Sequence, residues 1–203
     1  MKLVKALSLN YRVNLLGVAS ALLLFYVASS DKPWWTLIGG FQNIQTFSAE
    51  VSPFNVVVEI LSKPVTVPII PYLTLAARLS VILAATFLLI GSLLANKSWA
   101  KPMINVRGIT FPIIFILGLF IGLSVAESYV GVSLPLTGDF TLTYSIPYEE
   151  LNIIAEIPAS ATLTTEYWVA LIAGILSVLA RIIHSRILRG AAIKPDTHPV
   201  GSA

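Results

Sequence analysis

Residues 13–29, 72–95, 109–126 and 167–187 form four stretches with almost no charge. Each runs close to the ~20 apolar residues that a helix needs to cross a bilayer core. This pattern constrains the fold more than any other feature of the chain. A length of 203 residues would suit one ordinary soluble domain. Hydrophobic residues, however, make up 56% and charged residues only 11%, against about 25% charged in a soluble domain. Most of the surface must therefore face lipid, and the expected class is membrane α-helical with four transmembrane helices. The first stretch has a basic start (Lys2, Lys5, Arg12) and a small-residue end (Ala28, Ser29, Ser30), which a signal peptide would also show; it is expected to be retained as a helix.

Several chemistries drop out. There is no cysteine, so no disulfide framework, thiolate metal site or cysteine nucleophile is available. Two histidines, His184 and His198, leave little for an imidazole metal cluster. No phosphate loop, no Ser/His/Asp arrangement and no HExxH run occurs, so no enzyme activity, cofactor or metal is expected. The formal charge of +3 does not require a nucleic-acid partner, because the basic residues sort by membrane side.

Lys2, Lys5 and Arg12 precede the first stretch, Lys97, Lys101 and Arg107 separate the second from the third, and Arg181, Arg186, Arg189 and Lys194 close the fourth. The segments between the first and second and between the third and fourth hold nine of the ten acids. Positive charge stays on the cytoplasmic side. The expectation is a multi-pass protein of the cell membrane with both termini cytoplasmic and loops 30–71 and 128–166 outside. Trp34, Trp35, Trp99 and Trp168 all fall at segment ends, which suggests interfacial anchors at headgroup level.

Both outer loops are too long for simple connectors and carry β-branched runs broken by Pro and Gly. Asn55 to Ile60, Asp139 to Tyr144 and Leu151 to Ile157 alternate or read as strands, with shorter pieces at 65–67 and 161–165. An extracytoplasmic β-rich domain is expected, as one sheet or a sandwich.

Sliding the chain against itself by 97 residues aligns the two outer loops. Asn55 meets Asn152, Glu59 meets Glu156, Thr46 meets Thr143, and Leu79-Ser80-Val81 meets Leu176-Ser177-Val178. The sequence thus reads as two tandem helix–β-loop–helix repeats. The first covers 1–95 and the second 109–190, with a cytoplasmic loop at 96–108 and a tail at 191–203. Two crossings per copy give both the same orientation, related by a rotation near 180° about the membrane normal.

Arg78 is the one charge well inside an apolar stretch, and an intramembrane ionisable residue is a functional candidate by default. Glu127 lies at similar depth, and the second and third helices, joined by a short loop, are expected to pack side by side. Arg78 and Glu127 are therefore a candidate intramembrane ion pair; the plain alternative is an arginine snorkelling to the interface. Asn55, Glu59, Asn152 and Glu156 are candidate repeat-related polar pairs. They would form either a cation site at a two-fold axis or the wet face of a sheet. His184, among Arg181, Arg186 and Arg189, reads as part of a basic membrane anchor.

The four-pass plan with a β-rich first outer loop resembles that of claudin-like proteins. This chain lacks their cysteine pair and has two outer loops of nearly equal length, so no function follows from that likeness. The leading functional expectation is a non-enzymatic membrane subunit or scaffold. Its partners are the lipid bilayer and either copies of itself or other membrane subunits. The alternative is a small transporter or channel component with its path at a repeat or oligomer interface.

Overall fold

The computed structural model describes residues 13–41, 44–104, 107–148 and 151–192. Along the chain come α1 (Leu15–Ser29), β1 (Trp35–Phe41), β2 (Ile44–Ser52), β3 (Asn55–Ile60), β4 (Lys63–Pro64), α2 (Ile70–Leu93), a 3-10 turn at Ser98–Ala100, α3 (Arg107–Val130), β5 (Gly138–Tyr148), β6 (Leu151–Leu163) and α4 (Thr165–Ala192). The spans Ile70–Leu93, Gly108–Tyr129 and Thr165–Ser185 are long and apolar enough to cross a membrane, which gives the chain the build of a membrane protein. With 15 residues, α1 reaches only about 22 Å, short of a ~30 Å hydrocarbon core.

The length of α1 reflects its position. Asn14 caps its start by accepting a hydrogen bond from Gly17 N. The same residue donates from its backbone N–H to Ser92 O at 2.7 Å and from Nδ2 to Ala180 O at 2.8 Å. One buried amide thus fixes α1 to both α2 and α4. Higher up, Ser20 Oγ donates to Ala173 O at 2.7 Å. Polar groups in hydrocarbon must find partners inside the protein, so these side chains point along the α1 seams. Gly17 lies so close to Ser92 that any Cβ there would strike the serine hydroxyl.

The resulting helix order is α2–α1–α4–α3, and α2 and α3 scarcely meet. The expected side-by-side packing of the second and third apolar segments is corrected. The loop between them is drawn towards α4, where Arg181 Nη1 donates to Lys101 O and, at 2.7 Å, to Ile104 O. That tether carries α3 to the far side of α4, with Gly108 against Ser177 and Gly174.

The two outer loops merge into one antiparallel sheet, ordered β4-β3-β2-β1-β6-β5. Leu37 opposite Ala161 lies at the seam between them. Following the register outward from β1, Trp35, Leu37, Phe47, Ala49, Val51, Val56, Val58, Phe140, Ala161 and Leu163 share one face. Thr36, Ser48, Glu50, Asn55, Glu59, Asp139, Thr141, Glu156 and Ser160 share the other. On the first face Trp35, Leu37 and Ala161 are buried, whereas residues 55–59 of β3 are half-buried on both faces.

This sheet departs from the two-fold expected of a tandem repeat. Repeat-equivalent β2 and β5 would have to lie at equal distance from the axis, as would β3 and β6. Instead β2 and β6 adjoin β1, while β5 is an edge. The hairpin registers also differ, since Glu59 faces Ser48 whereas Glu156 faces Thr143. The +97 correspondence is thus present in sequence, while the two hairpins differ in register and in their place in the sheet. β1 has no counterpart strand before β5, and the extra strand displaces the symmetry.

The β3–β4 turn is tight and ill-suited to its residues. Leu61 and Ser62 both take left-handed backbone, with φ of 51° and 60°, a conformation that two-residue hairpin loops normally give to Asn-Gly. Replacing Leu61→Asn together with Ser62→Gly should stabilise the protein by about 1–2 kcal/mol. Thermal unfolding in detergent checks this, and an unchanged or lower midpoint would show that the turn holds no strain.

Candidate functional site

The linker from α1 to β1 carries Asp31, Lys32, Trp34 and Trp35, and side chains of α2, α3 and α4 meet it. Trp34 is 1% exposed. Its ring makes edge contacts with Phe54 at 5.7 Å, Phe115 of α3 at 5.1 Å and Tyr167 of α4 at 6.2 Å. Its backbone N–H donates to Val51 O at 3.0 Å and its carbonyl accepts from Thr164 N at 2.9 Å. Trp35, 2% exposed, donates its indole N–H to Leu136 O at 2.6 Å. Both expected interfacial anchors are therefore core residues: α1 stops short, and the space above it is filled by large rings. Trp99 and Trp168 are about half exposed, at 47% and 51%.

Arg78 does not pair with Glu127. Its Nη2 lies 2.5 Å from Asp31 Oδ1 and 3.4 Å from Phe54 O, and the guanidinium sits 5.7 Å from the centre of the Phe54 ring. The expected pair is corrected for a topological reason: Glu127 belongs to α3, which α1 and α4 separate from α2, whereas Asp31 follows directly from α1, which packs on α2. Beside them Lys32 Nζ is 3.4 Å from Glu166 Oε1. These two bridges fasten the linker to α2 and to the start of α4, a structural role for all four charges.

The repeat-related polar residues share the sheet's polar face but do not converge. Asn55 and Glu59 lie on β3 and Glu156 on β6, three strand spacings apart at about 4.8 Å each. Asn152 takes its register place opposite Pro147, and its side chain lies outside the described residues. No group of three His, Cys, Asp or Glu side chains stands close enough for a metal among the described residues. His184 is fully buried rather than displayed at a headgroup surface, and neither ring nitrogen has a partner among the described residues.

What the fold presents outward is a divided sheet. Pairing of β1 with β6 ends at Gly39 opposite Ala159, while β5 and β6 continue together to Tyr148 opposite Leu151. The β5–β6 hairpin thus overhangs, and among the described residues 151–158 of β6 have no strand partner on their β1 side. Between it and the β1–β2 tip lies an open cleft of about 750 Å³, bordered by Ile38, Gly40, Gln45, Asp139, Thr141, Pro158 and Ser160. Gly39 is needed at its floor, because the Phe47 ring covers that position and leaves no room for a Cβ. Asp139 is the cleft's one charged lining residue. The lining mixes small, polar and apolar residues with a single carboxylate, which suits contact with a chain better than a reaction. Sequence reading missed this site because it did not recognise β1 as a strand.

No known protein-family profile matches the chain, and no curated protein matches it as a relative.

A double-mutant cycle tests the linker. Asp31 is 77% exposed on its side chain and Arg78 29%, so screening keeps their coupling small. Arg78→Ala and Asp31→Ala should couple by about 0.5–1 kcal/mol in unfolding measurements. Strictly additive losses would mean that the pair contributes nothing, and coupling of Arg78 to Glu127 instead would contradict the geometry.

Proposed function

We propose that this chain is a non-enzymatic membrane subunit or scaffold, and that its sheet is the surface through which it assembles with a partner or with itself. The observation carrying this reading is the sheet's outline: a polar face, an overhanging hairpin and long unpaired strand edges. Unpaired edges are templates for another chain. Lys and Arg placement puts the sheet outside the cell membrane and both termini in the cytoplasm. Half-exposed Trp99 and Trp168 suit headgroup level on opposite sides. The transport alternative leaned on Arg78 facing a path; with that guanidinium held by Asp31 and Phe54, assembly is the better supported of the two.

Two measurements test the reading. In this cysteine-free chain, Thr141→Cys should react with an impermeant thiol reagent in whole cells and Lys97→Cys should not; the reverse pattern would invert the orientation. Mass determination after gentle detergent extraction should give a particle heavier than one 21.9 kDa chain with its detergent. A monodisperse single chain would refute assembly.

A further inference from the structure

We propose that α1 and α4 thin the bilayer beside them, drawing phospholipid headgroups on the sheet side down to the level of Tyr26, Ser29 and Trp168. The inference goes beyond the assembly reading and holds whichever side of the membrane the sheet occupies.

Contacts between the helices give all four a common height scale. Asn14, Ser92 and Ala180 meet in one layer, and Ser20 of α1 donates to Ala173 O of α4 nearly two turns higher. Arg78 of α2 reaches Asp31 just above α1, and Gly108 of α3 lies against Gly174 of α4. At 1.5 Å per residue, Tyr26 and Trp168 both stand about 18 Å above the Asn14 layer and Tyr72 of α2 about 30 Å above it. Tyr129, at the far end of α3, stands higher still. All four rings are at least half exposed, and exposed Tyr and Trp collect at headgroup level. The chain thus carries two aromatic belts on the sheet side, about 12 Å apart.

Polarity follows the same step. Just above Tyr26 come the exposed Ser29 and then Asp31 and Lys32, whose side chains are 77% and 71% exposed. From Asn14 to Ser29 on α1, and from Trp168 to Arg181 on α4, the apolar rise is only about 20 Å, against the ~30 Å of a bilayer's hydrocarbon core. At the height of Ser29, α3 exposes Gly118 between Leu117 and Ile121, and its apolar surface continues upward. A span shorter than the hydrocarbon is met by thinning the bilayer, by snorkelling side chains or by oligomerising. Snorkelling gains little here, because Asp31 and Lys32 are tied to Arg78 and Glu166. A partner helix long enough to cross would set its own apolar end against the exposed Asp31 and Lys32, whereas fluid lipid shortens instead. The apolar barrier is therefore lowest beside α1 and α4.

Depth-dependent fluorescence quenching tests the proposal. Ser29→Cys and Gly118→Cys place a thiol-attached bimane at nearly one height, about 22–24 Å above the Asn14 layer. Both positions are exposed, and a Cβ at Gly118 meets nothing within 4 Å. Each purified variant goes into phosphatidylcholine vesicles whose lipids carry a spin label either on the headgroup or midway down an acyl chain. At Ser29 the headgroup label should quench more strongly, and at Gly118 the chain label. Stronger chain quenching at Ser29 would mean that hydrocarbon reaches past α1 and would overturn the proposal. Stronger headgroup quenching at Gly118 would put the boundary at the lower belt all round, with no local thinning, and would overturn it as well. Absence of lipid quenching at either position would mean that protein covers that helix, which is equally fatal to it.

Discussion

The structure turns on one residue at one height in the molecule. Where α1 ends, the bundle must hand over to a sheet, and the two layers would otherwise leave a void between helix ends and strand bases. Trp34 fills it. An aromatic of this size buries roughly 150–250 Å², and here it touches a sheet hairpin through Phe54 and two helices through Phe115 and Tyr167. Its backbone joins β2 to the segment leading into α4, so side chain and main chain hold the same joint by different forces. Arg78 with Asp31 and Lys32 with Glu166 brace it from either side.

Below that joint the helices cohere without much apolar drive, because lipid is as apolar as leucine. Close approach and hydrogen bonds substitute. Asn14 and Ser20 donate to carbonyls of α4, and Gly17, Gly108 and Gly174 lie where a Cβ would collide with a neighbouring helix. The outward faces of α2 and α3 keep Leu73, Leu83, Ile114 and Phe120 exposed, which suits a lipid solvent. Above the joint the logic reverts to that of a sheet in water, with alternation dividing an apolar face from a polar one.

The helices are legible because hydropathy needs only a run of residues. Strands at 55–60, 139–144 and 151–157 were legible from alternation. β1 was not: Trp35-Thr36-Leu37-Ile38-Gly39-Gly40-Phe41 has two glycines and follows a second tryptophan, so it read as an interfacial anchor. Without that strand the seam and the cleft have no signal in the sequence. Asp31 was overlooked as the partner of Arg78 because depth along a helix says nothing about helix order. That order was decided by Asn14 and Arg181, whose backbone targets are 166 and 77 residues away. No local pattern announces such contacts.

If Trp34 makes bundle and sheet a single cooperative body, their opening must be linked. Hydrogen exchange of the Trp34→Ala protein in lipid measures this directly, the substitution costing about 3–5 kcal/mol for an aromatic truncated in a packed core. The account predicts a joint loss of protection in β1, in the base of β6 from Ala159 to Leu163, and in the last turn of α1 and the first turn of α4. Faster exchange confined to the sheet, with the helix ends as protected as before, would contradict it.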